Sequence, residues 1–355
     1  MDRVRLAVVG CGTISRLNVP GYLRDERCEI VALCDPIRER AEEAALEWRI
    51  SPAIYTDYED VLADPNVDAV ELLTPTHLHA DQIIAGLEAG KHVSCQKPIA
   101  VSIPEADRIG EAVARAKTLF RISENFLYYP PIVKAKELLD SGAIGDPNMV
   151  RIRTVIGSYE LTVNDYNLAD GAMEWRSDAA RNPGGKLYDD GVHKYATAMY
   201  WVGDFESVYG IVTKTDDFTI EAPCSTMWRF KDKNCLGVID YALADEMPLR
   251  SRYYPMDEFF EIVGPKGVIW VTRCTGEMLD MPPVVLHRGS ESTGFDVPMD
   301  WIEGFNGAAR DFIDCIISGE QPAMDFQFSR KVLQAALGVY RSSEMNAPLD
   351  LATIE

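Results

Sequence analysis

The spacing of apolar residues changes once along the chain. Up to residue 124, short apolar runs at 4–9, 29–34, 69–73, 92–95 and 119–123 are each followed closely by a glycine, a proline or an acidic residue. Between them, 38–49, 58–62, 80–87 and 103–116 read as helices. Strands that alternate with helices predict a parallel, doubly wound sheet with its ligands at the carboxyl ends of the strands. From Met149 the period becomes two: 149–156, 207–213, 224–230, 235–243 and 258–263 read as half-buried strands. Residues 261–270 read as a hairpin turned at Gly264-Pro265-Lys266-Gly267. Helices at about 305–317 and 328–344 close the chain, and 159–175 and 245–257 read as loops. The expected fold class is α/β: a doubly wound parallel sheet over 1–124, then an α+β domain over 125–355 with a large, mostly antiparallel open sheet.

The first apolar run leads into Gly10-Cys11-Gly12-Thr13-Ile14-Ser15. A strand, a glycine turn and a helix start are what a pyrophosphate requires. Gly10 permits the turn, and Gly12 lets backbone N–H groups approach phosphate oxygens at the positive end of the helix. Ser15 stands where the fingerprint has its third glycine, and it is small enough for helix–strand contact. The second run ends in Asp35, 20 residues beyond Ser15. A carboxylate there accepts from both ribose hydroxyls of NAD and repels a 2′-phosphate. Arg38 and Arg40 lie nearby and leave NADP open. Asp35 also suits a helix N-cap, with Pro36 at the first helical position. Strand, glycine turn and acid in order predict that 1–124 is a Rossmann domain, in which Gly10, Gly12, Thr13, Ile14 and Asp35 hold NAD.

Two later strand ends carry chemistry. After 69–73 comes Thr74-Pro75-Thr76-His77-Leu78-His79. Pro75 stops the strand and leaves Thr74 and His77 beside the dinucleotide, while His79 is expected to be structural or exposed on the next helix. After 92–95 comes Gln96-Lys97-Pro98, and Pro98 keeps Lys97 extended. A lysine aimed from a strand end into a cofactor crevice stabilises an alkoxide. The plain alternative is a solvated surface lysine.

Gly184-Gly185-Lys186-Leu187-Tyr188-Asp189-Asp190-Gly191-Val192-His193 holds the densest chemistry. If a helix starts near Tyr188, Asp189 and His193 share a face. A carboxylate beside an imidazole fixes its tautomer and makes a general base near neutral pH. An Asp–His pair can equally satisfy itself at a helix start. Gly191 removes a side chain from that face and leaves room for a flat ring.

Composition narrows the partners. The 355 residues carry 35 Lys plus Arg against 56 Asp plus Glu, a net charge of −21. Such a surface repels phosphate backbones and anionic lipid, so neither nucleic acid nor membrane is expected. The cysteines at 11, 28, 34, 95, 224, 235, 274 and 315 form no Cys-x-x-Cys pair and lie mostly in apolar runs. Buried free thiols in a reducing cytoplasm fit that usage. No leader, membrane span or metal site is expected.

Taken in order, these residues resemble the Gfo/Idh/MocA family of NAD(P)-dependent oxidoreductases. The shared features are the glycine turn at Gly10–Ser15, Thr74-Pro75 with His77, Lys97-Pro98, Asn125 before Pro130, Trp175-Arg176, and Gly184-Gly185 through Asp189-x-Gly191-x-His193. The resemblance implies that Lys97, Asp189 and His193 are catalytic. It adds Thr74, Pro75, His77, Gln96, Lys97, Asn125, Trp175 and Arg176 to the cofactor site. Spacing alone would allow Asp190 in place of Asp189. Four positions depart from the family: Gln96 replaces a glutamate, Lys186 a glycine, Ala196 an aspartate and Leu127 an arginine. The resemblance also implies that the open sheet makes homo-oligomer contacts, as a dimer or tetramer.

The loops hold Tyr159, Asn164, Asp165, Tyr166, Asn167, Arg250, Arg252, Tyr253 and Tyr254, a mixture of aromatic faces and polar groups that suits a sugar-like ligand. Tyr128, Tyr159, Tyr166 and Tyr254 are candidates to face the substrate, beside Lys97, Asp189 and His193. The expected activity is oxidation of a secondary hydroxyl of a sugar, cyclitol or related polyol, with the hydride passing to NAD. Two alternatives stand beside it. One is glycoside cleavage through transient oxidation and elimination. The other is an NAD-binding regulator without catalysis, which would need no acid–base set.

Overall fold

The computed structural model describes residues 3–162, 174–213, 221–273 and 278–354. Asn164, Asp165, Tyr166 and Asn167, named above in the loop 159–175, lie outside the described residues, as does Cys274. The chain divides into two units: 1–125, 168–183 and 304–333 form the first, and 126–167, 184–303 and 334–355 the second.

In the first unit, β1 (Val4–Val9), β2 (Cys28–Cys34), β3 (Ala53–Tyr55), β4 (Ala69–Leu72), β5 (His92–Gln96) and β6 (Phe120–Ser123) form a sheet in the order β3-β2-β1-β4-β5-β6. Every pairing is parallel. The strand order reverses between β1 and β4, the switch point at which doubly wound sheets take their ligands. Helix starts follow the local chemistry. Asp57 accepts the Glu59 N–H at 3.0 Å to cap Tyr58–Ala63, and Ser102 with Pro104 opens Ile103–Arg115. Val4, Leu6, Val8 and Leu33 share a core with Ala309, Phe312, Ile313 and Ile316 of the helix Ile302–Ser318. Each large side chain so buried contributes roughly 1.5–3 kcal/mol. Arg121 on β6, itself fully buried, donates to Ala308 O at 2.5 Å and Ser94 Oγ at 3.1 Å.

The second unit holds β7 (Met149–Ser158), β8 (Phe205–Val212), β9 (Cys224–Phe230), β10 (Leu236–Pro248), β11 (Met256–Gly264), β12 (Gly267–Arg273), β13 (Val284–Arg288), β14 (Glu291–Phe295) and β15 (Leu349–Asp350). Among the described residues they form one sheet in the order β14-β13-β12-β11-β7-β10-β9-β8-β15. Only β7 and β10 pair in parallel. On β7, Val150, Ile152 and Thr154 are buried while Arg151 and Arg153 face outward. The helix Gly191–Val202 lies on the inner face, with Tyr195 edge-on to Trp228 at 6.1 Å and Trp201 edge-on to Phe260 at 5.7 Å. On the outward face Arg153 pairs with Asp257 at 2.7 Å and Arg151 with Glu261. Residues 245–248 continue β10 and are not the loop that the sequence suggests. All four are exposed, so no alternation marks them as strand.

Candidate active site

The first unit gathers its candidate residues on the loops that follow β1, β2, β4, β5 and β6. Gly10 turns the chain at φ +95°, and a Cβ there would lie 2.7 Å from Leu73 O. Gly12 differs: a Cβ there would meet no protein atom within 4 Å. Thr13 and Ile14 complete the turn. Ser15 Oγ donates to Gly12 O at 2.6 Å, and the helix Ser15–Leu23 begins without a side-chain cap, which leaves its positive end for an anion.

Asp35 accepts the Cys11 N–H at 2.9 Å on Oδ2 and the Ile37 N–H at 2.9 Å on Oδ1. It thereby ties the glycine turn to the loop after β2, and each oxygen keeps acceptor capacity. The next helix starts at Arg38 with Ile37 at its cap position, so Asp35 is not the N-cap that the sequence allowed. Past β4, Thr74 Oγ1 donates to Gln82 Oε1 at 2.5 Å, and Pro75 precedes the short turn Thr76–Leu78 that carries His77. His79 is fully buried, with one ring nitrogen 2.7 Å from Pro98 O and the other 2.9 Å from Thr74 O. Burial pushes its imidazole down to about 4, so it joins the two strand-end loops as a neutral ring. Past β5, Gln96 Oε1 accepts the Lys97 N–H at 3.0 Å, and Lys97 itself is half-buried.

Three buried polar atoms on these loops have no hydrogen-bond partner: His77 Nδ1, Gln96 Nε2 and Asn125 Nδ2. Each such atom costs roughly 1–3 kcal/mol if nothing meets it. Together with the open space at Gly12 and the uncapped helix, they fit the ribose hydroxyls, carboxamide and pyrophosphate of a dinucleotide. Burial lowers the imidazole of His77, and Arg181 adds to that. Trp175 and Arg176 belong to the same unit, with the guanidinium 4.4 Å from the ring centroid.

In the second unit the helix expected from Tyr188 is two. Lys186–Asp189 is a short turn of helix, and Gly191–Val202 follows after a break at Asp190. Glu221 fixes the glycine turn before them. Its carboxylate accepts the N–H groups of Gly185 at 3.2 Å and Leu187 at 3.1 Å, and the Tyr340 hydroxyl at 2.7 Å. The ring for which Gly191 leaves room is Tyr195 of the same helix, 3.1 Å from the position of a Cβ. His193 is buried, donates its N–H to Asp190 O at 3.1 Å and stacks on Phe126 with ring centroids 4.6 Å apart.

Asp189 and Asp190 have different surroundings. Asp189 ends the first helical turn and is half-buried. Asp190 accepts Lys194 Nζ at 2.8 and 2.7 Å and the Tyr241 hydroxyl at 2.7 Å. Lys194, fully buried, pairs also with Glu258, which pairs with Arg273. Burial would raise the Asp190 carboxyl, but Lys194, His193 and Lys186 outweigh it and hold the group well below the usual carboxylate range. Of the substrate candidates, Tyr128 is half-buried and Tyr159 exposed. Tyr254 stands edge-on to Trp301 at 5.1 Å under Arg273, and Tyr166 lies outside the described residues.

Sequence reasoning missed Phe126, Lys194, Glu221, Tyr241, Glu258, Arg273 and Tyr340. Only the Asp190–Lys194 pair had a signal, an acid and a base four residues apart on a helix. Among the described residues no group of three His, Cys, Asp or Glu side chains is placed to hold a metal, and no helix is long and apolar enough to cross a membrane.

A doubly wound sheet with unpartnered polar atoms at the carboxyl ends of its strands defines a dinucleotide-binding unit, followed here by a unit built on a large open sheet. The chain belongs to the Gfo/Idh/MocA family: residues 4–124 match its oxidoreductase domain with the NAD-binding Rossmann fold, and 132–270 match the GFO/IDH/MocA C-terminal domain. NAD is the cofactor that the first of these domains binds. The inositol 2-dehydrogenase of Salmonella typhimurium is 35% identical over 304 residues, 83% of this chain and 80% of that protein. The myo-inositol 2-dehydrogenase of Thermotoga maritima is 26% identical and covers 99% of both chains. A solved levoglucosan dehydrogenase, in complex with NADH and levoglucosan, has the same fold: TM-score 0.81 at 21% identity, over 98% of this chain and 99% of that one.

Proposed function

We propose that the protein oxidises a secondary hydroxyl of a cyclitol, sugar or related polyol to a ketone or lactone. One observation carries this reading. Lys97, Asp189 and His193 are all present in a chain 35% identical to a protein named for inositol oxidation. His193 takes the hydroxyl proton, Asp189 orients the imidazole, and Lys97 stabilises the oxyanion as it develops. NAD, when bound, supplies the hydride acceptor. Gly10, Gly12, Thr13, Ile14 and Asp35 hold its adenosine and pyrophosphate, and Thr74, Pro75, His77, Gln96, Asn125, Trp175 and Arg176 border the rest. Tyr128, Tyr159, Tyr166 and Tyr254 are the candidates to line the substrate.

The test is a panel of inositols and sugars followed by NADH absorbance, then Lys97→Ala and His193→Ala with the best substrate. Both variants should lose about a hundredfold or more in single-turnover hydride transfer while keeping NAD affinity, because both groups act on charge that develops only in the transition state. Turnover near the parent rate in His193→Ala would place the chemistry elsewhere. The proposal extends to a cytoplasmic homo-oligomer joined through the outward face of the nine-stranded sheet. Ile211 and Met227 stand 58% and 46% exposed there, and Phe259 and Trp270 share that face from beyond β7 and β10. A monomer mass by light scattering at micromolar concentration would rule the assembly out.

A further inference from the structure

We propose that Asp190 and Lys194 are positioning residues for His193, and that with Glu258 and Arg273 they form a buried frame that holds its ring and sets the charge it meets. The inference rests on the reading of His193 as the base.

Lys194 and Glu258 are both 0% exposed, and such residues are rarely buried so fully unless they are paired. The frame contains two cations and two anions, so it is neutral as a whole. Stability alone is a weak reason to keep it, since well-packed apolar side chains of similar volume often replace a buried ion pair without loss. Its geometry points to His193 instead. Asp190 directly precedes the helix, and its carbonyl accepts the His193 backbone N–H at 3.1 Å. The Phe126 ring that stacks on the imidazole at 4.6 Å also lies 4.9 Å from Lys194 Nζ. A buried ammonium near an aromatic ring attracts it, so Lys194 steadies the surface on which the imidazole rests. Arg273 continues the frame outward, with its guanidinium 4.5 Å from the ring centroid of Tyr254.

The groups that neighbour His193 or belong to the frame come from several elements. Asp189, Asp190 and Lys186 lie on the preceding turn, and Lys194 is on its own helix. Phe126, uncharged, follows β6, while Tyr241, Glu258 and Arg273 come from β10, β11 and β12. His193 is among the groups that hold the Asp190 carboxyl low. Removing the Asp190 charge leaves the frame positive and disfavours an imidazolium. Removing the Lys194 charge leaves it negative and favours one. The two perturbations should therefore act in opposite directions, which loss of packing would not do.

The experiment uses the full-length protein with selectively labelled histidine, whose five imidazole Hε1 signals are assigned for His193 by His193→Gln. In Asp190→Asn the pH midpoint of the His193 signal should fall by about half a unit or more, and in Lys194→Met it should rise by a similar amount. Shifts of the same sign, or none, overturn the proposal. Because an unpaired buried charge can prevent folding, the double variant Asp190→Asn/Lys194→Met removes both charges together. It should fold, keep the parent midpoint and lose the ring-current displacement that Phe126 imposes on the His193 signal. Retention of that displacement also overturns the proposal. Failure of the functional reading is seen separately, as unimpaired turnover in His193→Ala.

Discussion

Replacing Gly12 by alanine separates a ligand's needs from the protein's. A Cβ at position 12 meets nothing within 4 Å, so the packing cost is close to zero. Alanine also narrows the unfolded ensemble, which contributes about 0.4–1 kcal/mol where the native backbone tolerates it. Gly12→Ala should therefore leave the thermal midpoint unchanged or raised by a few degrees. Gly10→Ala is the control. At φ +95°, with Leu73 O 2.7 Å from the new methyl, it meets both an unfavourable backbone region and a clash with a carbonyl that cannot swing away. The backbone alone costs about 1–2 kcal/mol, and the contact adds to it. NADH binding, followed by fluorescence titration or calorimetry, should weaken in Gly12→Ala by tenfold or more, about 1.4 kcal/mol, because the methyl occupies the space meant for the pyrophosphate. If Gly12→Ala binds NADH as tightly as the parent, the glycine turn is not the phosphate cradle. If it is destabilised as much as Gly10→Ala, the open space at position 12 is not real.

Two further outcomes follow from the same unit. Asp35→Ser should cost about 3 kcal/mol through the lost bonds to Cys11 and Ile37 and narrow the preference for NAD over NADP about tenfold. NADPH binding tighter than NADH in the parent would refute this. His79 is held neutral down to about 4, against 6.5 for a free imidazole, so between those values the unfolded chain binds a proton that the folded chain does not. Stability should thus fall as the pH falls through that window, by about 3 kcal/mol in all. Urea midpoints at pH 7 and 5 should show less of this loss in His79→Gln, and an unchanged loss would place its origin in other groups.

The first sheet was legible because each strand is a buried apolar run ended by a glycine, a proline or an acid that also serves the ligand. β3 escaped because three residues carry no period. β13 escaped because its two buried residues, Val284 and Val285, are adjacent and do not alternate, and β14 because it is exposed on both faces. The candidate cofactor residues from Gly10 to Asn125 could be read for the same reason as the strands: they stand at strand ends; Trp175 and Arg176 follow no strand of that sheet and came from the family resemblance alone. The frame around His193 could not. Asp190 and Lys194 are neighbours by helical spacing, but Tyr241, Glu258 and Arg273 reach them from three strands whose register is set by the whole sheet. Nothing in a linear pattern marks a buried glutamate as the partner of a lysine 64 residues away.

The helix Ile302–Ser318, pinned by Arg121 and packed beside β1, has a bearing on synthesis and on engineering. A ribosome finishes the six strands of the dinucleotide sheet by residue 123, yet Ala309, Phe312 and Ile313 of its core come nearly two hundred residues later. Until then Arg121 lacks its carbonyl partner at Ala308, and the core residues of β1 lack the helix side chains they pack against. The sheet made first therefore waits for a helix made near the end of the chain. Anyone exchanging cofactor domains between relatives by a cut after residue 125 must carry residues 168–183 and 304–333 across with it.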